Sequence, residues 1–295
     1  MKIGFVGLGN MGTGMANNIL KNINNKSDLF VYTRTLDKIK NFTERGASGS
    51  SSIEEITNSV DVLLTCLPNV ETSKELFMAK GGIFEYANSK QVLVDHSTVD
   101  VKTSKECFDS ASSKGLNFLD APISGGPGGA ADGTLTIMVG GEESSFNYAN
   151  EAFEMMGSKI SHMGPSGAGT AMKLVNQLLV STNTVAAAEA FVLAEQSGVN
   201  LTAAIDILST SWGRSTMIER NGPITVNKEF ENSPAPLRNL VKDLGIIKDL
   251  TSQLGLKLPV TMASSEVVDE TMGLGLEEPD IAATALSIKK LSNIE

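Results

Sequence analysis

A lysine and two amide side chains share one face of a long helical stretch. Lys173, Asn176 and Gln177 stand at positions i, i+3 and i+4, which a helix stacks on one side. No glycine or proline interrupts the chain between Gly169 and Gly198, so the sequence predicts one long helix. A lysine enclosed beside amides can exchange a proton with a substrate oxygen, because its burial is costly without partners or a chemical role. The alternative is a lysine that extends into solvent from the start of a helix.

A glycine-rich turn near the start of the chain has the spacing of a dinucleotide-binding site. An apolar strand is expected at 2–6, followed by Gly7, Gly9 and Gly12 in the GxGxxG pattern and by a helix from Met11. The first glycine permits the sharp turn, the second lets the backbone approach a pyrophosphate, and the third lets helix and strand pack closely. Unpaired N–H groups at the helix start bind the phosphate. The cofactor contacts predicted in this turn are Gly7, Leu8, Gly9, Asn10, Met11 and Gly12.

The second predicted strand, Leu29–Tyr32, ends without the acidic residue that Rossmann units specific for NAD usually place there. Thr33, Arg34 and Thr35 follow the strand, and Lys38 comes shortly after them. A guanidinium and two hydroxyls suit the 2′-phosphate of NADP(H), whereas a carboxylate would repel it. These residues predict NADP(H) as the cofactor, and the alternative is an ordinary polar loop after an edge strand.

The overall composition argues against several classes of protein. The 295 residues carry a net charge of −10 without a long basic run, which argues against a nucleic-acid or anionic-membrane surface. The cysteines, Cys66 and Cys107, and the histidines, His96 and His162, supply few metal ligands, so we expect no metal site. Met1 leads directly into KIGFVGLG, so we expect no signal peptide and a cytoplasmic location.

Strands alternate with helices through the first half of the chain, which indicates a doubly wound parallel sheet of the Rossmann type within the α/β class. Further strands are expected at 60–67, 91–95, 117–120, 135–139 and 159–163. Ligands of such sheets lie beyond the carboxyl ends of the strands. The segments at these ends that should line one cleft are 7–12, 67–68, 97–98, 124–126 and Arg34.

The second half shows no strand-like alternation and is expected to be all-helical. Helices are predicted at 201–209, 237–254, 259–272 and 280–291, with prolines such as Pro223 between them. We therefore predict a Rossmann domain at 1–163 and a helical domain at 164–295 that begins with a long interdomain helix. Polar residues interrupt this helix, so no apolar run is expected to reach membrane-spanning length. Its remaining apolar surface predicts a homo-oligomer.

Four stretches, in order along the chain, resemble the β-hydroxyacid dehydrogenases, which are typified by 3-hydroxyisobutyrate dehydrogenase. They are GFVGLGNMGTGMANN (4–18), DAPISGGPGGAADGTLTIMVGG (120–141), GAGTAMKLVNQ (167–177) and LVKDLGIIKDL (240–250). The resemblance covers nearly the whole chain. It implies reversible hydride exchange between a nicotinamide and a small hydroxyacid or semialdehyde, in a homodimer or homotetramer.

The same resemblance implies roles for individual residues. Lys173 matches the catalytic lysine, which donates a proton in reduction. Apart from the resemblance, His96 and His162, which each follow a predicted strand, are alternatives for the acid. The substrate-binding residues that it implies are Ser124, Gly125, Gly126, Asn176 and Gln177. The further cofactor contacts are Leu67, Pro68, Thr98 and Lys242, the last in a Lys-Asp pair with Asp243.

The Arg34-Thr35 pair resembles the NADP-preferring branch, which includes reductases of glyoxylate, succinic semialdehyde and tartronate semialdehyde. We therefore expect NADPH-dependent reduction of a small carboxylate-bearing aldehyde. Ala235 stands where many relatives carry a pocket phenylalanine, which favours longer substrates such as succinic semialdehyde unless Trp212 or Phe230 fills the space. The alternatives are oxidation of 3-hydroxyisobutyrate or another β-hydroxyacid, and a protein that binds NADPH without turnover.

Overall fold

Alternating strands and helices form the first unit, Met1–Lys173, of the computed structural model, which describes residues 1–294. Its strands are β1 (Ile3–Val6), β2 (Leu29–Tyr32), β3 (Ser48–Gly49), β4 (Val62–Thr65), β5 (Val92–Asp95), β6 (Asn117–Asp120), β7 (Ile123–Ser124), β8 (Leu135–Gly140) and β9 (Gly157–Gly164). Its helices are α1 (Asn10–Asn22), α2 (Leu36–Thr43), α3 (Ile53–Ser59), α4 (Val70–Met78), α5 (Ile83–Tyr86), α6 (Val101–Ser113), α7 (Gly126–Asp132) and α8 (Glu143–Glu154).

The strands of residues 1–294 form a single sheet in the order β3-β2-β1-β4-β5-β6-β8-β7, with β9 beside β8. The pairs from β3 to β6 are parallel, whereas β8 runs antiparallel to both β6 and β7. β1, β4 and β5 are buried along their whole length, which agrees with their uninterrupted apolar sequences. The doubly wound parallel sheet predicted from the sequence is confirmed, and the strand order reverses between β1 and β4, where such sheets bind ligands.

Helix α7 has a sequence, GPGGAAD, that by itself indicates a turn rather than a helix. It forms where it packs closely against α1. Asn18 Nδ2 of α1 donates hydrogen bonds to the carbonyl oxygens of Ala130 at 2.8 Å and Ala131 at 3.0 Å. A Cβ at Gly14 would lie 2.8 Å from the carbonyl of Ala130, so only glycine allows this approach. The packing brings the 124–126 segment close to the helix that follows the glycine-rich turn.

A long helix, α9 (Ala168–Gln196), crosses the division between the two units, which falls between Lys173 and Leu174. The second unit is helical, as predicted, and continues with α10 (Leu201–Thr210), α11 (Thr216–Asn227), α12 (Leu237–Gln253), α13 (Pro259–Met272) and α14 (Thr284–Leu291). Val185 of α9 packs in its core with residues of α12 and α13, including Leu240 and Val268. The domain boundary at 163/164 remains a prediction.

The helix break expected at Pro223 is wrong. Pro223 lies inside α11, which continues from Thr216 to Asn227. Proline has no N–H group, so the carbonyl of Glu219 loses its usual helical donor, and this cost led us to expect a break. Burial of Ile218 and Gly222 on the same helix shows that packing holds α11 together across the proline.

The expectation that no apolar stretch reaches membrane-spanning length is also wrong for α9. Its most apolar window has a mean hydropathy of 1.3, which is sufficient by length and composition for a membrane span. However, 39% of this window is buried inside the protein. Buried helices of globular domains show the same composition, so these properties of α9 are weak evidence for a membrane span.

Candidate active site

The turn between β1 and α1 has the geometry of a dinucleotide-binding loop. Gly7 has a φ of 99°, and a Cβ there would lie 2.3 Å from the carbonyl oxygen of Cys66. A Cβ at Gly12 would lie 2.0 Å from the carbonyl oxygen of Gly7, whereas one at Gly9 would meet nothing in residues 1–294 within 4 Å. α1 begins at Asn10 without a side-chain cap or an acid in its first turn. These features fit a dinucleotide, because the open backbone and helix N–H groups can bind a pyrophosphate.

The end of β2 places basic side chains beside this turn. Arg34 and Thr35 are exposed directly after β2, at the start of α2. Lys38 Nζ donates a hydrogen bond to the carbonyl oxygen of Leu8 at 2.7 Å. The Leu8 side chain itself belongs to the hydrophobic core, so only its backbone is available to a ligand. The structure thus adds Lys38 to the basic residues near the nucleotide site.

A buried hydrogen-bond network joins the carboxyl ends of β4 and β5. The carboxylate of Asp95 accepts hydrogen bonds from Thr65 Oγ1 at 3.0 Å, from the N–H of Ser97 at 2.9 Å and from the Ser73 hydroxyl. The hydroxyl of Ser97 in turn accepts the N–H of Leu67 at 2.8 Å. The two segments predicted to contact the cofactor are therefore held side by side. Asp95 was given no role from its sequence, although an acid at the end of a buried strand was a signal.

The remaining predicted cofactor contacts differ in exposure. Exposed residues are Gly9, Asn10, Arg34, Thr35 and Pro68. Half-buried residues are Gly7, Met11, Thr33, Leu67, Thr98 and Lys242. Within residues 1–294, no group of three or more His, Cys, Asp and Glu side chains is placed to hold a metal ion.

The geometry of His96 argues against a role as the general acid. Its Nδ1 lies 2.6 Å from the carbonyl oxygen of Ala121, so this nitrogen carries the proton and donates it. Burial lowers the pKa of His96 to about 4, against the opposing effect of that hydrogen bond. Nε2 has no hydrogen-bond partner among the described residues. The imidazole is therefore neutral at pH 7 and holds no proton that it could readily transfer.

The 124–126 loop forms the start of a helix rather than a plain turn between strands. β7 ends at Ser124, and α7 begins at Gly126 without a side-chain cap. Gly125 and Gly126 have φ values of 135° and 63°, which favour glycine, and both are exposed. Consecutive backbone N–H groups in such a turn form a concave site for an anion, including a carboxylate.

The first turn of α9 is bonded to the end of β6. Asp120 Oδ1 accepts the N–H of Gly167 at 2.7 Å, and Oδ2 accepts the N–H of Thr170 at 2.8 Å. Burial raises the pKa of Asp120, while these backbone hydrogen bonds act in the opposite direction. The role of Asp120 could not be read from the sequence, because its hydrogen-bond partners lie far along the chain.

Lys173 lies one turn beyond this anchor and is buried, with 8% of its surface exposed. The alternative of a lysine extending into solvent is therefore wrong. A buried lysine requires polar partners or a chemical role, because removing its charge from water is costly.

Four polar residues of the second unit form one chain of contacts. Asn176 Nδ2 donates to Gln177 Oε1 at 3.1 Å, and Gln177 Nε2 donates to Asp243 Oδ2 at 2.5 Å. Lys242 Nζ lies 3.2 Å from Asp243 Oδ1. Buried Asp243 thus links Asn176, Gln177 and Lys242, which were predicted from the sequence to contact the substrate or the cofactor.

Comparisons with known proteins cover nearly the whole chain. The model for the NAD-binding domain of 6-phosphogluconate dehydrogenase matches residues 2–164, and that for NAD-binding of NADP-dependent 3-hydroxyisobutyrate dehydrogenase matches residues 167–287. The chain is 30% identical to glyoxylate/succinic semialdehyde reductase 1 of Arabidopsis thaliana, over 98% of this chain and 99% of that protein. It is 32% identical to 2-(hydroxymethyl)glutarate dehydrogenase of Eubacterium barkeri, over 96% and 93% respectively.

A solved structure agrees with these relatives. Mycobacterium tuberculosis 3-hydroxyisobutyrate dehydrogenase, in a structure with L-serine, is 28% identical and has a TM-score of 0.86, covering 97% of this chain and 98% of that one. The fold and the glycine-rich turn are those of a nicotinamide-dependent oxidoreductase. The chain belongs to the β-hydroxyacid dehydrogenase family.

Proposed function

We propose that the protein is an NADPH-dependent reductase of small carboxylate-bearing aldehydes, which it converts reversibly to hydroxyacids in the cytoplasm. The observation that carries this proposal is the burial of Lys173 on a helix whose first turn is bonded to the strand preceding the 124–126 loop. A proton donor and a carboxylate-binding loop are the two groups that such a substrate requires.

The residues take distinct roles in this reaction. The nicotinamide, when bound, supplies the hydride for reduction of the carbonyl carbon. Lys173 donates a proton to the carbonyl oxygen in reduction and accepts it in oxidation. The Ser124 hydroxyl and the backbone N–H groups of Gly125 and Gly126 bind the substrate carboxylate. Asn176 and Gln177, which follow Lys173 on the same helix, contact the substrate.

The choice of NADPH rests on the charge at the end of β2. Arg34, Thr35 and Lys38 offer two cations and a hydroxyl near the glycine-rich turn, and Lys38 is bonded to that turn. A 2′-phosphate gains charge-assisted hydrogen bonds from such groups, and no carboxylate at 33–35 opposes it. NADPH as the cofactor in turn favours the direction from aldehyde to alcohol.

Ala235 favours the longer members of the candidate substrates. We infer that neither aromatic residue that could replace the missing phenylalanine fills the space beside Ala235. Phe230 is buried in a cluster with Ala282 and Ala283, and the side chain of Trp212 is entirely exposed. We therefore place succinic semialdehyde ahead of glyoxylate. The name of the Arabidopsis relative includes both compounds. The name of the Eubacterium relative includes 2-(hydroxymethyl)glutarate, which is a longer diacid.

The segment that carries Ala235 is held in place by the chain near residue 280. The N–H of Leu237 donates to the carbonyl of Pro279 at 2.6 Å, and the N–H of Asp280 donates to the carbonyl of Phe230 at 2.8 Å. The Asp280 carboxylate also accepts hydrogen bonds from Ser233 and Arg220. Burial opposes ionisation of Asp280, but these bonds hold its pKa below the usual range. The position of Ala235 is therefore a fixed feature on which substrate choice can depend.

A screen of NADPH oxidation tests the proposal directly. Glyoxylate, tartronate semialdehyde, methylmalonate semialdehyde and succinic semialdehyde are assayed beside uncharged aldehydes of the same chain length. We expect succinic semialdehyde to exceed glyoxylate in kcat/KM by at least about tenfold, since it is longer by two methylenes and each methylene in a pocket is worth roughly 1–3 kcal/mol. Uncharged analogues should react more slowly, because they make no contact with the 124–126 loop.

Two results of this screen would contradict parts of the proposal. Equal rates for acids and uncharged analogues would show that the 124–126 loop does not bind a carboxylate. A higher kcat/KM for glyoxylate than for succinic semialdehyde would contradict the role of Ala235. Turnover of none of the four acids would contradict the proposed reductase function as a whole.

A homodimer or homotetramer is the proposed assembly, on account of an exposed apolar face of α9. Met172, Val175 and Leu179 recur at helical spacing and are about half exposed. Light scattering at micromolar concentration should give a multiple of the 31.1 kDa chain mass. Leu179→Glu should shift the protein towards the monomer, whereas Ile207→Glu on α10 serves as a control for added charge. A particle of 31.1 kDa alone for the unsubstituted protein would contradict the assembly.

A further inference from the structure

The buried carboxylate of Asp120 joins two segments of the first unit that take part in the proposed reaction. They are the start of α9, which carries Lys173, and the end of β6, which leads to the 124–126 loop. Asp120 is 2% exposed and has no ion pair among residues 1–294. Both of its oxygens are instead occupied by the N–H groups of Gly167 and Thr170, at the start of α9. A negative charge is favourable at this end of a helix, where N–H groups lack partners within the helix.

Close backbone contacts leave the start of α9 little freedom to move. A Cβ at Gly169 would lie 2.3 Å from the carbonyl oxygen of Met138 and 2.7 Å from that of Asp120. A Cβ at Gly140 would lie 2.6 Å from Asp120 Oδ1 and 2.8 Å from the nitrogen of Gly169. The helix therefore begins in direct contact with β6 and β8, and the Asp120 carboxylate lies within that contact.

The hydrogen bonds of Asp120 set the rotation of the helix as well as its position. Thr170 is bonded through its N–H to Asp120 and through its hydroxyl to Ser104 of α6, at 2.8 Å. Lys173 follows Thr170 at i+3, so its side chain leaves the helix on nearly the same face. A rotation of the first turn would therefore redirect Lys173.

We infer that Asp120 is a positioning residue, which keeps Lys173 in register with the 124–126 loop. The same residue ends β6, directly before the segment that leads through β7 to that loop. The Asp120 side chain thus fixes α9, which carries Lys173, to β6, which leads to the 124–126 loop. The inference rests on the proposed function, because it assigns Asp120 a part in the same reaction.

The variant Asp120→Asn tests the inference. It keeps the shape of the side chain but replaces one carboxylate oxygen by an NH2 group, which faces a backbone N–H and cannot accept its hydrogen bond. We expect kcat to fall by about 10²-fold, since a small misplacement of a reacting group can cost this much. The KM for NADPH should change by less than about twofold, because the glycine-rich turn is untouched. The pH profile of kcat/KM should also shift, since the surroundings of Lys173 change.

Ser52→Ala provides a matched control for the loss of a helix cap. The Ser52 hydroxyl accepts the N–H of Glu55 at 3.0 Å and caps α3 in the same unit. This variant should lower the melting temperature while leaving kcat and the pH profile unchanged. A structural role of Asp120 alone would give the same pattern for Asp120→Asn, and that result would overturn the inference.

Hydrogen exchange adds a measurement that does not depend on turnover. The amides of Gly167 and Thr170 should exchange slowly in the unsubstituted protein and faster in Asp120→Asn. If Asp120→Asn does not fold, Asp120→Glu keeps the charge but displaces the carboxylate from the N–H groups of Gly167 and Thr170, and an unchanged kcat and pH profile there would overturn the inference. Absence of turnover in the unsubstituted protein contradicts the proposed function instead, while unprotected amides at 167 and 170 contradict the anchoring by Asp120.

Discussion

Replacement of Lys173 by alanine should reduce kcat by about 10²–10⁴, which is the usual contribution of a general acid or base. Lys173 is buried on α9, so its loss removes the proposed proton donor from the carbonyl oxygen. The glycine-rich turn and the end of β2 are unchanged in this variant, so NADPH binding should be nearly unaffected. Steady-state kinetics with the best acid of the screen, together with titration of NADPH fluorescence, measure the two quantities separately.

Two further variants make this test specific. Lys173→Arg keeps the positive charge but should be nearly as inactive, because a guanidinium does not release its proton at neutral pH. Lys159→Ala, at an exposed position on β9, should retain full activity and controls for the loss of a lysine. Activity above half of the unsubstituted level in Lys173→Ala would show that the assigned role is wrong. His96 is a poor replacement as the acid, because burial lowers the pKa of its imidazole to about 4.

The second large effect concerns the cofactor. We expect NADPH to exceed NADH by at least about tenfold in kcat/KM, which corresponds to roughly 1.4 kcal/mol. Arg34 is exposed directly after β2, where NAD-specific Rossmann units usually carry an acid. Arg34→Asp introduces that acid and removes the guanidinium, so it should abolish or reverse the preference. The measurement is the ratio of kcat/KM for the two cofactors at saturating aldehyde.

Arg45→Asp is the charge-matched control for this experiment. Arg45 lies just beyond α2, and its guanidinium donates a hydrogen bond to the side chain of Asn17 at 2.6 Å. Its replacement by aspartate changes the net charge by the same amount as Arg34→Asp. It should leave the cofactor ratio unchanged. Lys38→Ala should lower the preference only in part, because Lys38 contacts the glycine-rich turn but Arg34 remains. Equal efficiency of the unsubstituted protein with NADH and NADPH would contradict the assignment.

Local pattern was sufficient for the class of fold and for the nucleotide-binding turn. The spacing of Gly7, Gly9 and Gly12 predicts a turn whose steric requirements act over a few residues. The structure shows those requirements at Gly7 and Gly12, and it leaves open space beside Gly9. Apolar runs predicted the positions of the buried strands for the same reason, since a strand covered on both faces has little polar sequence. The cap of α3 by Ser52 is equally local, since the Ser52 hydroxyl accepts an N–H only three residues along the chain.

Tertiary structure decided the features that depend on distant parts of the chain. α7 forms despite its glycines because Asn18 of α1 binds its carbonyl groups, and α11 continues through Pro223. The burial of Lys173 and the neutral state of His96 depend on neighbours that no spacing reveals. The bonds of Asp120 to the start of α9 join segments far apart in sequence, so only the folded chain brings them together. A residue type and its spacing specify local geometry, whereas burial and long-range hydrogen bonds exist only after the elements have packed.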